Sequence, residues 1–460
     1  MVSRLAARNG GRAGLAALVT ILLFGLGLRV DYAWEGRTPV FDATAYARIA
    51  ANLDEGNGFT AGPTATQPSS NYSPGLPLLS AGAYAVSGGV HERLARIVLA
   101  LIGSLSVLFA YLIGRRLSGP AAGLIGAGAV AIYPAFLEYQ GMLMSEPLAA
   151  ALLSGSVLAI LWAGDPSRGW HGEGGRERTY VPARRPSSPG HPRARWLIPG
   201  LLLGALAMVR PEYLAVAGLL ALVVFARGAR GDWRRSLTQA AILMAGVVLV
   251  VAPWTIRNAV ALERVVPIST GGGQVLFAGT YLPSDGNPER VGEEVVARHP
   301  EIFSRGDVQR LRLEQILAVL AAHRYPGMES DAALSRMGRE QLWDDVSEEP
   351  LEYVGFVAAK IGRIWSHGPR DVMREPLWEA LHWALVAFGL IGLAVLAWRR
   401  RWEALLLGTI FLSITALSAL LVASPRRVLV MIPLVAALAG VGAVFAWSWL
   451  REQRSHRIRL

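Results

Sequence analysis

Long apolar segments separated by short polar connections dominate this chain and predict its secondary structure. Several segments are shorter than the ~20 residues that an apolar helix needs to cross the hydrocarbon core of a membrane. The ten segments are 15–30, 94–113, 121–136, 142–162, 196–209, 213–226, 237–254, 377–398, 404–422 and 428–450. The pattern therefore predicts an all-α polytopic membrane protein with about ten transmembrane helices.

Composition agrees with this prediction. The 460 residues are 53% hydrophobic and only 17% charged, and the mean hydropathy is +0.37. Such a composition excludes an ordinary soluble globular protein. The net charge of +11 does not indicate nucleic-acid binding, because the basic residues lie in short clusters between apolar segments.

Arginines are concentrated in every second connection, which predicts the orientation of the chain. By the positive-inside rule both termini are cytoplasmic. Three arginines precede the first apolar segment as in a signal peptide, but no small-residue cleavage site follows, so we expect an uncleaved span. The predicted extracytoplasmic connections are 31–93, 137–141, 210–212, 256–376 and 424–427.

The polar stretches divide the chain into three predicted parts. Residues 1–255 form an N-terminal transmembrane catalytic module with the first loop at 31–93, and residues 377–460 form the C-terminal transmembrane helices. Residues 164–195 are rich in Gly, Pro, Ser and Arg, which is typical of a disordered linker, here cytoplasmic. Residues 256–376 show helical patterning at 308–322, 332–342 and 351–365 and predict a small α-rich extracytoplasmic lobe on the membrane.

The first loop contains the stretch around which the other predictions are arranged, FDATAYARIAANLDEGNGF at 41–59, continued by NYSPGLPLL at 71–79. Small and apolar residues recur at helical spacing from Asp42 to Leu53, which predicts a short amphipathic helix along the interface. Asp42 stands at its N-terminal end. The residues alone favour a helix cap for Asp42 over a catalytic role.

Ionisable residues at the ends of apolar segments are further candidates, because charge is costly there. Glu146 lies near the start of the fourth segment, just before Pro147, where a carboxylate favoured by the helix dipole and a functional one are equally good interpretations. Arg257 ends the seventh segment ahead of three glycines, 271–273, whose N–H groups can approach an anion. The other candidates are Glu138, Arg210, Glu212, Arg426 and Arg427.

The two adjacent arginines Arg426 and Arg427 break the charge pattern, because they lie on the predicted extracytoplasmic face. Arginines in such a place indicate phosphate binding. Two carboxylates and several arginines at bilayer level suit a substrate that carries phosphate on a lipid tail.

The order of these segments resembles the bacterial C-type (GT-C) glycosyltransferases that use polyprenyl-phosphate sugars, relatives of the protein O-mannosyltransferases and the lipid A aminoarabinose transferase. The similarity covers most of the chain apart from 164–195 and much of the lobe. It is carried by FDATAYARIAANLDEGNGF, NYSPGLPLL, RLARIVLALIGSLSVLFAYLIGRRLSG, YPAFLEYQGMLMSEPL, LLLGALAMVRPEYL, PWTIRNAVALERVVPISTGGGQVLFAG and SPRRVLVMIPLVAAL.

The resemblance implies roles for individual residues. Asp42 matches the first-loop aspartate that binds or deprotonates the acceptor, and Glu146 matches a second acidic residue. Arg257 and Arg426 fall where family arginines approach the lipid phosphate. Tyr72, Arg210 and Arg427 complete the predicted substrate-binding set.

Two positions depart from the family pattern. Ala43 follows Asp42 where the protein O-mannosyltransferases have a glutamate, which weakens the case for a protein acceptor. Ser73 stands where the aminoarabinose transferase has a lysine, which removes one phosphate contact. The missing acid also leaves few metal ligands, so a divalent ion shared by Asp42 and Glu146 is expected to bind weakly or not at all.

The sequence thus predicts an inverting glycosyltransferase of the bacterial inner membrane, active on the extracytoplasmic face, with Asp42 as general base. The predicted partners are a polyprenyl-phosphate sugar donor, membrane lipids and a glycan, lipid or protein acceptor, with no nucleic acid. The alternatives are a ligase that transfers a whole lipid-linked glycan and a polytopic transporter or flippase. A transporter would carry charges near the middle of its spans, whereas here they gather at one face.

The predicted topology is testable by cysteine labelling, since the chain has no native cysteine. Gly190→Cys should react only from the cytoplasmic side and Gly286→Cys only from outside, in intact cells and in inverted vesicles. Labelling of both positions from the same side would contradict the ten-span topology.

Overall fold

The computed structural model describes residues 2–37, 42–62, 68–164, 194–285, 287, 290–366 and 368–458. These residues form helices joined by turns, with no strand among them, which confirms the all-α prediction. Of the linker predicted at 164–195, residues 165–193 lie outside the described part, as does Phe41.

The first nine helices are α1 (Val2–Glu35), α2 (Asp42–Asp54), α3 (Gly75–Ser87), α4 (Glu92–Ser118), α5 (Pro120–Ala131), α6 (Pro134–Gly141), α7 (Glu146–Gly164), α8 (Leu197–Val209) and α9 (Tyr213–Leu262). The remaining nine are α10 (Gly272–Thr280), α11 (Val291–Arg298), α12 (Asp307–Arg310), α13 (Leu313–Arg324), α14 (Ser330–Glu348), α15 (Pro350–Ser366), α16 (Pro376–Trp398), α17 (Trp402–Leu420) and α18 (Pro425–Ile458). The amphipathic helix expected from Asp42 to Leu53 is α2, and the stretch at 351–365 is α15.

Seven helices in the described ranges are long and apolar enough to cross a membrane, and eight if the bent pair α5 and α6 is one span. Two shorter apolar helices, Gly75–Ser87 and Ala194–Val209, fall below that length. The protein is therefore a multi-pass membrane protein, and the count of ten spans stays a prediction.

The 50-residue helix α9 is broken at Asp232, where the backbone leaves the helical region at φ −130° and ψ 87°. Asp232 accepts a hydrogen bond on Oδ1 from the Arg235 N–H at 3.0 Å, as the N-cap of a new helix does. Gly228 packs against the Ser236 side chain, although these positions would lie about 12 Å apart along a straight helix. The chain therefore turns back at Asp232, between the segments predicted at 213–226 and 237–254.

The segment predicted at 121–136 forms the bent pair α5 and α6, whose axes differ by 46°. The fully buried Arg29 of α1 donates to the carbonyls of Ala131 at 3.0 Å and Val130 at 2.8 Å. These carbonyls belong to the last turn of α5 and have no partner within the helix beyond the break. Arg29 thus stabilises the bend that turns α6 toward the candidate site.

Helix α18 is the central helix of the bundle and packs against α4, α5, α7 and α16. Glycines allow this close approach. Gly126 of α5 lies against the backbone of Ala436, and Gly440 of α18 lies against the carbonyl of Ala122. Small residues let helix backbones approach in membranes, where dispersion contacts rather than water exclusion hold helices together. The N-terminus of α18, with its two arginines, is therefore fixed by the core.

The arginines of the predicted cytoplasmic connections meet at one end of the bundle. Arg116 donates to the Leu161 carbonyl at 2.7 Å, Arg227 to Gly164 at 2.7 Å, and Arg401 to Leu117 at 3.0 Å. These contacts join the ends of α4 and α7 to the turn within α9 and the start of α17. The arginines that alternate connections carry along the sequence are thus gathered at one end of the helix bundle.

A second hydrophobic cluster, separate from the transmembrane core, is formed by buried apolar residues between Phe277 and Leu334, among them Val295 and Leu317. Its first helix, α10, begins after Gly271, whose φ of +94° favours glycine. The Gly273 and Gln274 N–H groups, in the turn expected to approach an anion, donate to Asp331 Oδ1 at 2.9 and 3.3 Å. The protein's own carboxylate therefore binds at this helix N-terminus.

Lys360, the single lysine of the chain, is fully buried in α15. Its ammonium nitrogen donates to the Gly279 carbonyl at 2.6 Å, in the last turn of α10, and lies 4.8 Å from the Phe356 ring centroid. Burial, with smaller contributions from Arg427 and Arg363, lowers the pKa of Lys360 from 10.5 to about 7. The residue joins α10 to α15, the helix of the lobe that packs on α17 and α18.

Because the pKa of Lys360 is depressed on folding, the unfolded chain binds the extra proton between pH 7 and 10.5. Stability should therefore rise with pH across this window, by up to about 1.4 kcal/mol per pH unit from this group. In Lys360→Met this contribution disappears. Thermal unfolding of both purified proteins from pH 7 to 9.5 measures the difference, and parallel curves would contradict the expectation.

Candidate active site

The candidate site lies at the end of the bundle opposite the arginine-rich connections. Helices α2, α7 and α18 begin there, and α8 ends there. Asp42 is the first residue of α2, and Glu146 is the first residue of α7. Arg426 is the second residue of α18, and Arg210 follows α8 directly. Four elements that are distant in sequence thus each bring one ionisable side chain to the same place.

Arg426 lies between the two predicted carboxylates. Its Nη2 donates to Asp42 Oδ2 at 2.9 Å, and its Nε donates to Glu146 Oε1. The Asp42 side chain is 40% exposed, whereas the Glu146 side chain is 0% exposed. The hydrogen bond described for Asp42 therefore goes to an arginine of another helix and not to a backbone N–H of its own.

Further arginines and a third carboxylate continue this cluster. Arg210 Nη2 lies 2.7 Å from Glu146 Oε1, and its Nη1 lies 3.6 Å from Glu212 Oε1. Arg427 Nε lies 3.9 Å from Glu212, and its Nη1 donates to the Val422 carbonyl at 2.6 Å. Although burial opposes charging, Glu146 and then Glu212 raise the pKa of Arg210 above its ordinary value. We call the six residues Asp42, Glu146, Arg210, Glu212, Arg426 and Arg427 the ion-pair cluster.

The ion-pair cluster retains unused hydrogen-bonding capacity. Glu146 Oε2 and Arg210 Nε are buried and find no hydrogen-bond partner among the residues that the structure describes. Buried polar atoms are nearly always paired in proteins, and exceptions concentrate where a ligand or water binds. These two atoms therefore mark the inner wall of the site.

Two tyrosines border the cluster on the side of the first loop. The Tyr72 ring meets the Tyr46 ring edge-on with centroids 6.0 Å apart, and its hydroxyl donates to Glu314 of the lobe at 3.4 Å. Burial, then Glu314 and Asp42, raise the pKa of Tyr72 to about 12. Tyr72 thus stays a neutral donor at physiological pH, between Asp42 and the lobe.

Arg257 has a different set of contacts. Its guanidinium donates to the carbonyls of Ser69 at 3.1 Å and Phe59 at 3.3 Å. It also lies over the Phe59 and Trp254 rings, 5.5 and 5.0 Å from their centroids. These contacts attach the first loop to the end of α9. Its approach to a lipid phosphate stays a prediction.

The structure adds two residues to the site that the sequence analysis did not select. Arg370 donates through Nε to Glu138, and it has a φ of +88°, a strained conformation for a residue other than glycine. Tyr139, beside Glu138, is buried within electrostatic range of Glu146, Arg426 and Arg370. The sequence analysis selected Glu138 as an acidic residue at the end of an apolar segment. Its partner Arg370 lies in a loop with no periodic pattern, so no signal in the sequence indicated it.

The arrangement is the GT-C fold of membrane glycosyltransferases. The oligosaccharyltransferase of Archaeoglobus fulgidus in its apo form superposes with a TM-score of 0.56 at 17% identity, covering 96% of this chain and 52% of its own. AglB from the same organism, in complex with an inhibitory peptide and a dolichol-phosphate, gives 0.55 at 17% identity, covering 97% and 52%. The chain thus spans about half the length of the oligosaccharyltransferases it matches, and identity this low shows a shared fold alone.

ArnT from Cupriavidus metallidurans, bound to undecaprenyl phosphate, is a weaker match, with a TM-score of 0.43 at 14% identity over 93% of this chain and 77% of its own. No protein-family model matches the chain, and no curated sequence is significantly similar to it.

The residues at the site do not fit a divalent metal shared by Asp42 and Glu146. Arg426 already bridges the two carboxylates, and Arg210 is a second counter-ion for Glu146. Within the described ranges no group of three Asp, Glu or His side chains is placed to hold an ion. A hard cation needs several oxygen ligands, and a guanidinium between two of them would repel it.

We therefore expect Mg²⁺ and Mn²⁺ to bind the purified protein no more tightly than they bind the Asp42→Asn variant. Isothermal titration calorimetry of each ion against both proteins makes the comparison. Saturable binding that Asp42→Asn abolishes, together with loss of transfer on chelation and rescue by one ion, would contradict this expectation.

Proposed function

We propose that this protein transfers a sugar from a polyprenyl-phosphate donor to an acceptor hydroxyl, with inversion at the anomeric carbon. The observation that carries the proposal is Arg426, which contacts both Asp42 and Glu146 at the end of the membrane bundle. In this proposal Asp42 is the general base and Arg426 is the phosphate-binding cation, and their side chains are in direct contact. In-line displacement of a phosphate leaving group needs this pairing.

The donor phosphate is assigned to the arginines of the ion-pair cluster. Guanidinium groups bind phosphate through paired N–H donors, and Arg426 and Arg427 lie at the start of α18, where a lipid headgroup sits at the membrane surface. The fold supports a lipid donor, since AglB of the same fold binds a dolichol-phosphate. Arg257 takes part either by contacting the same phosphate or by holding the first loop in place.

The transfer is balanced without a metal or a general acid. The acceptor oxygen attacks C1 of the sugar while its proton passes to Asp42, and the bond from C1 to the phosphate oxygen breaks. The electron pair of that bond leaves with polyprenyl phosphate, whose charge the arginines stabilise. The products are the inverted glycoside and the lipid phosphate monoester, and Asp42 then loses its proton to water.

The acceptor is assigned to the side of the site where Asp42 is exposed. Tyr72 and Glu314 lie there and offer a donor and an acceptor to a hydroxyl compound. A glycan, a lipid or a protein can present such a hydroxyl. In the proposed topology this space lies on the extracytoplasmic side, where the first loop (31–93) of the N-terminal module 1–255 and the loop 256–376 are located. The C-terminal transmembrane helices, 377–460, lie in the cell membrane.

The second candidate function is transfer of a whole glycan from a lipid carrier. It is supported by the solved structures of the same fold, several of which are oligosaccharyltransferases. The two functions differ in their donor. A panel of radiolabelled polyprenyl-phosphate monosaccharides and lipid-linked oligosaccharides, incubated with purified protein and membrane extract, separates them.

If Asp42 is the base, Asp42→Asn should reduce transfer by about 10²- to 10⁴-fold, as removal of a general base does. Asparagine keeps the size of the side chain and begins helices about as well as aspartate, so folding should be retained. Turnover with the donor that the panel identifies, at saturating acceptor, measures the loss.

The matched control is Asp54→Asn, which makes the same charge change at the other end of α2. It should transfer sugar at the wild-type rate. Turnover of Asp42→Asn within a few-fold of wild type would show that Asp42 is not the base.

A further inference from the structure

The ion-pair cluster is electrically balanced as it stands. It holds three carboxylates, Asp42, Glu146 and Glu212, and three arginines, Arg210, Arg426 and Arg427. Each of these arginines lies within ion-pair distance of at least one of the carboxylates. A phosphate that enters the cluster therefore adds negative charge to a balanced site and must compete with a carboxylate already present.

Arg426 is the point at which such competition is easiest. Its Nη2 is hydrogen-bonded to Asp42 at 2.9 Å, and its Nε is bonded to Glu146. The two carboxylates differ in what holds them. Glu146 is fully buried and also contacts Arg210, so its release would leave a charge buried without a partner, which is strongly unfavourable.

Asp42 can leave Arg426 at much lower cost. Its side chain is already 40% exposed, and Arg426 is its one ion-pair partner among the described residues. Water can solvate the released Asp42 carboxylate, and Arg426, whose side chain is only 24% exposed, keeps its contact with Glu146. Separation of this partly exposed pair therefore costs little net free energy. A phosphate, with more negative charge and several acceptor oxygens, competes well for the same N–H group.

We propose, on the basis of the function proposed above, that the donor phosphate displaces Asp42 from Arg426 and thereby releases the catalytic base. Before the donor binds, Asp42 Oδ2 accepts the Arg426 hydrogen bond, which holds the carboxylate against the guanidinium. After the phosphate takes that N–H group, the carboxylate is free beside the sugar that it must help to transfer. Activation of the acceptor is thus coupled to the presence of the donor.

This coupling predicts that substitution of Asp42 strengthens phosphate binding, whereas substitution of a residue that binds the ligand directly would weaken it. Removing the charge of Asp42 should tighten phosphate binding, since Arg426 no longer has a competing carboxylate. The affinity of purified protein in nanodiscs for undecaprenyl phosphate should rise about 1.5- to 5-fold in Asp42→Asn, the range expected when a partly exposed competing ion pair is lost. Asp54→Asn, which changes the net charge equally, should bind undecaprenyl phosphate like wild type.

A double-mutant cycle tests whether the gain acts through Arg426. In an Arg426→Gln background, Asp42→Asn should have no effect on undecaprenyl phosphate binding. If Arg426→Gln does not purify in folded form, Arg426→Lys serves, and the gain should shrink because lysine cannot bridge two anions in the same geometry. A gain that is undiminished in this background would overturn the proposal.

Unchanged or weaker binding by Asp42→Asn, or an equal gain in Asp54→Asn, would also overturn it. Turnover measured on the same Asp42→Asn sample distinguishes failure of the displacement step from failure of the proposed function. Lost turnover with unchanged affinity leaves the transferase intact and removes the displacement step. Tighter binding with normal turnover retains the displacement and removes Asp42 as the base.

Discussion

A fully buried carboxylate at the end of a membrane helix is the constraint on which this site depends. Glu146 begins α7 with no exposed surface, and an unpaired charge in such a place costs several kcal/mol. Its counter-ions come from two other elements, Arg426 of α18 and Arg210 after α8. The ends of three helices must therefore meet before Glu146 can remain ionised, and their meeting places Asp42 and Arg427 within the same cluster.

Much of the fold could be predicted because periodicity is a local property. The spacing of apolar residues predicted α2 and α15 to within a residue or two, and it indicated α13 and α14 of the lobe but not α10 or α11. The cost of charge near apolar segments likewise selected Asp42, Glu146, Arg210, Arg426 and Arg427, which the structure brings together. This criterion identified the site residues because a charged side chain near an apolar segment is costly unless it is paired or has a function.

Pairings could not be predicted, since they depend on distant parts of the chain. Asp42 and Arg426 are 384 positions apart, and no pattern near either residue encodes the other. The same limit applies to Arg370, whose partner Glu138 is 232 positions away. The turn after Arg257 illustrates the converse problem. Its glycines indicated an anion, and one is present, but it is the carboxylate of Asp331 from the lobe itself.

Lys360 gives the protein an unusual chemical property. It is the single lysine of 460 residues, and its amine lies buried between α10 and α15. An amine-reactive reagent therefore finds no lysine at the surface of the folded protein, even though the low pKa of this amine makes its uncharged, nucleophilic form abundant near neutral pH. Acylation of Lys360 requires α10 to separate from α15, so the rate of that one modification reports how often these two helices come apart.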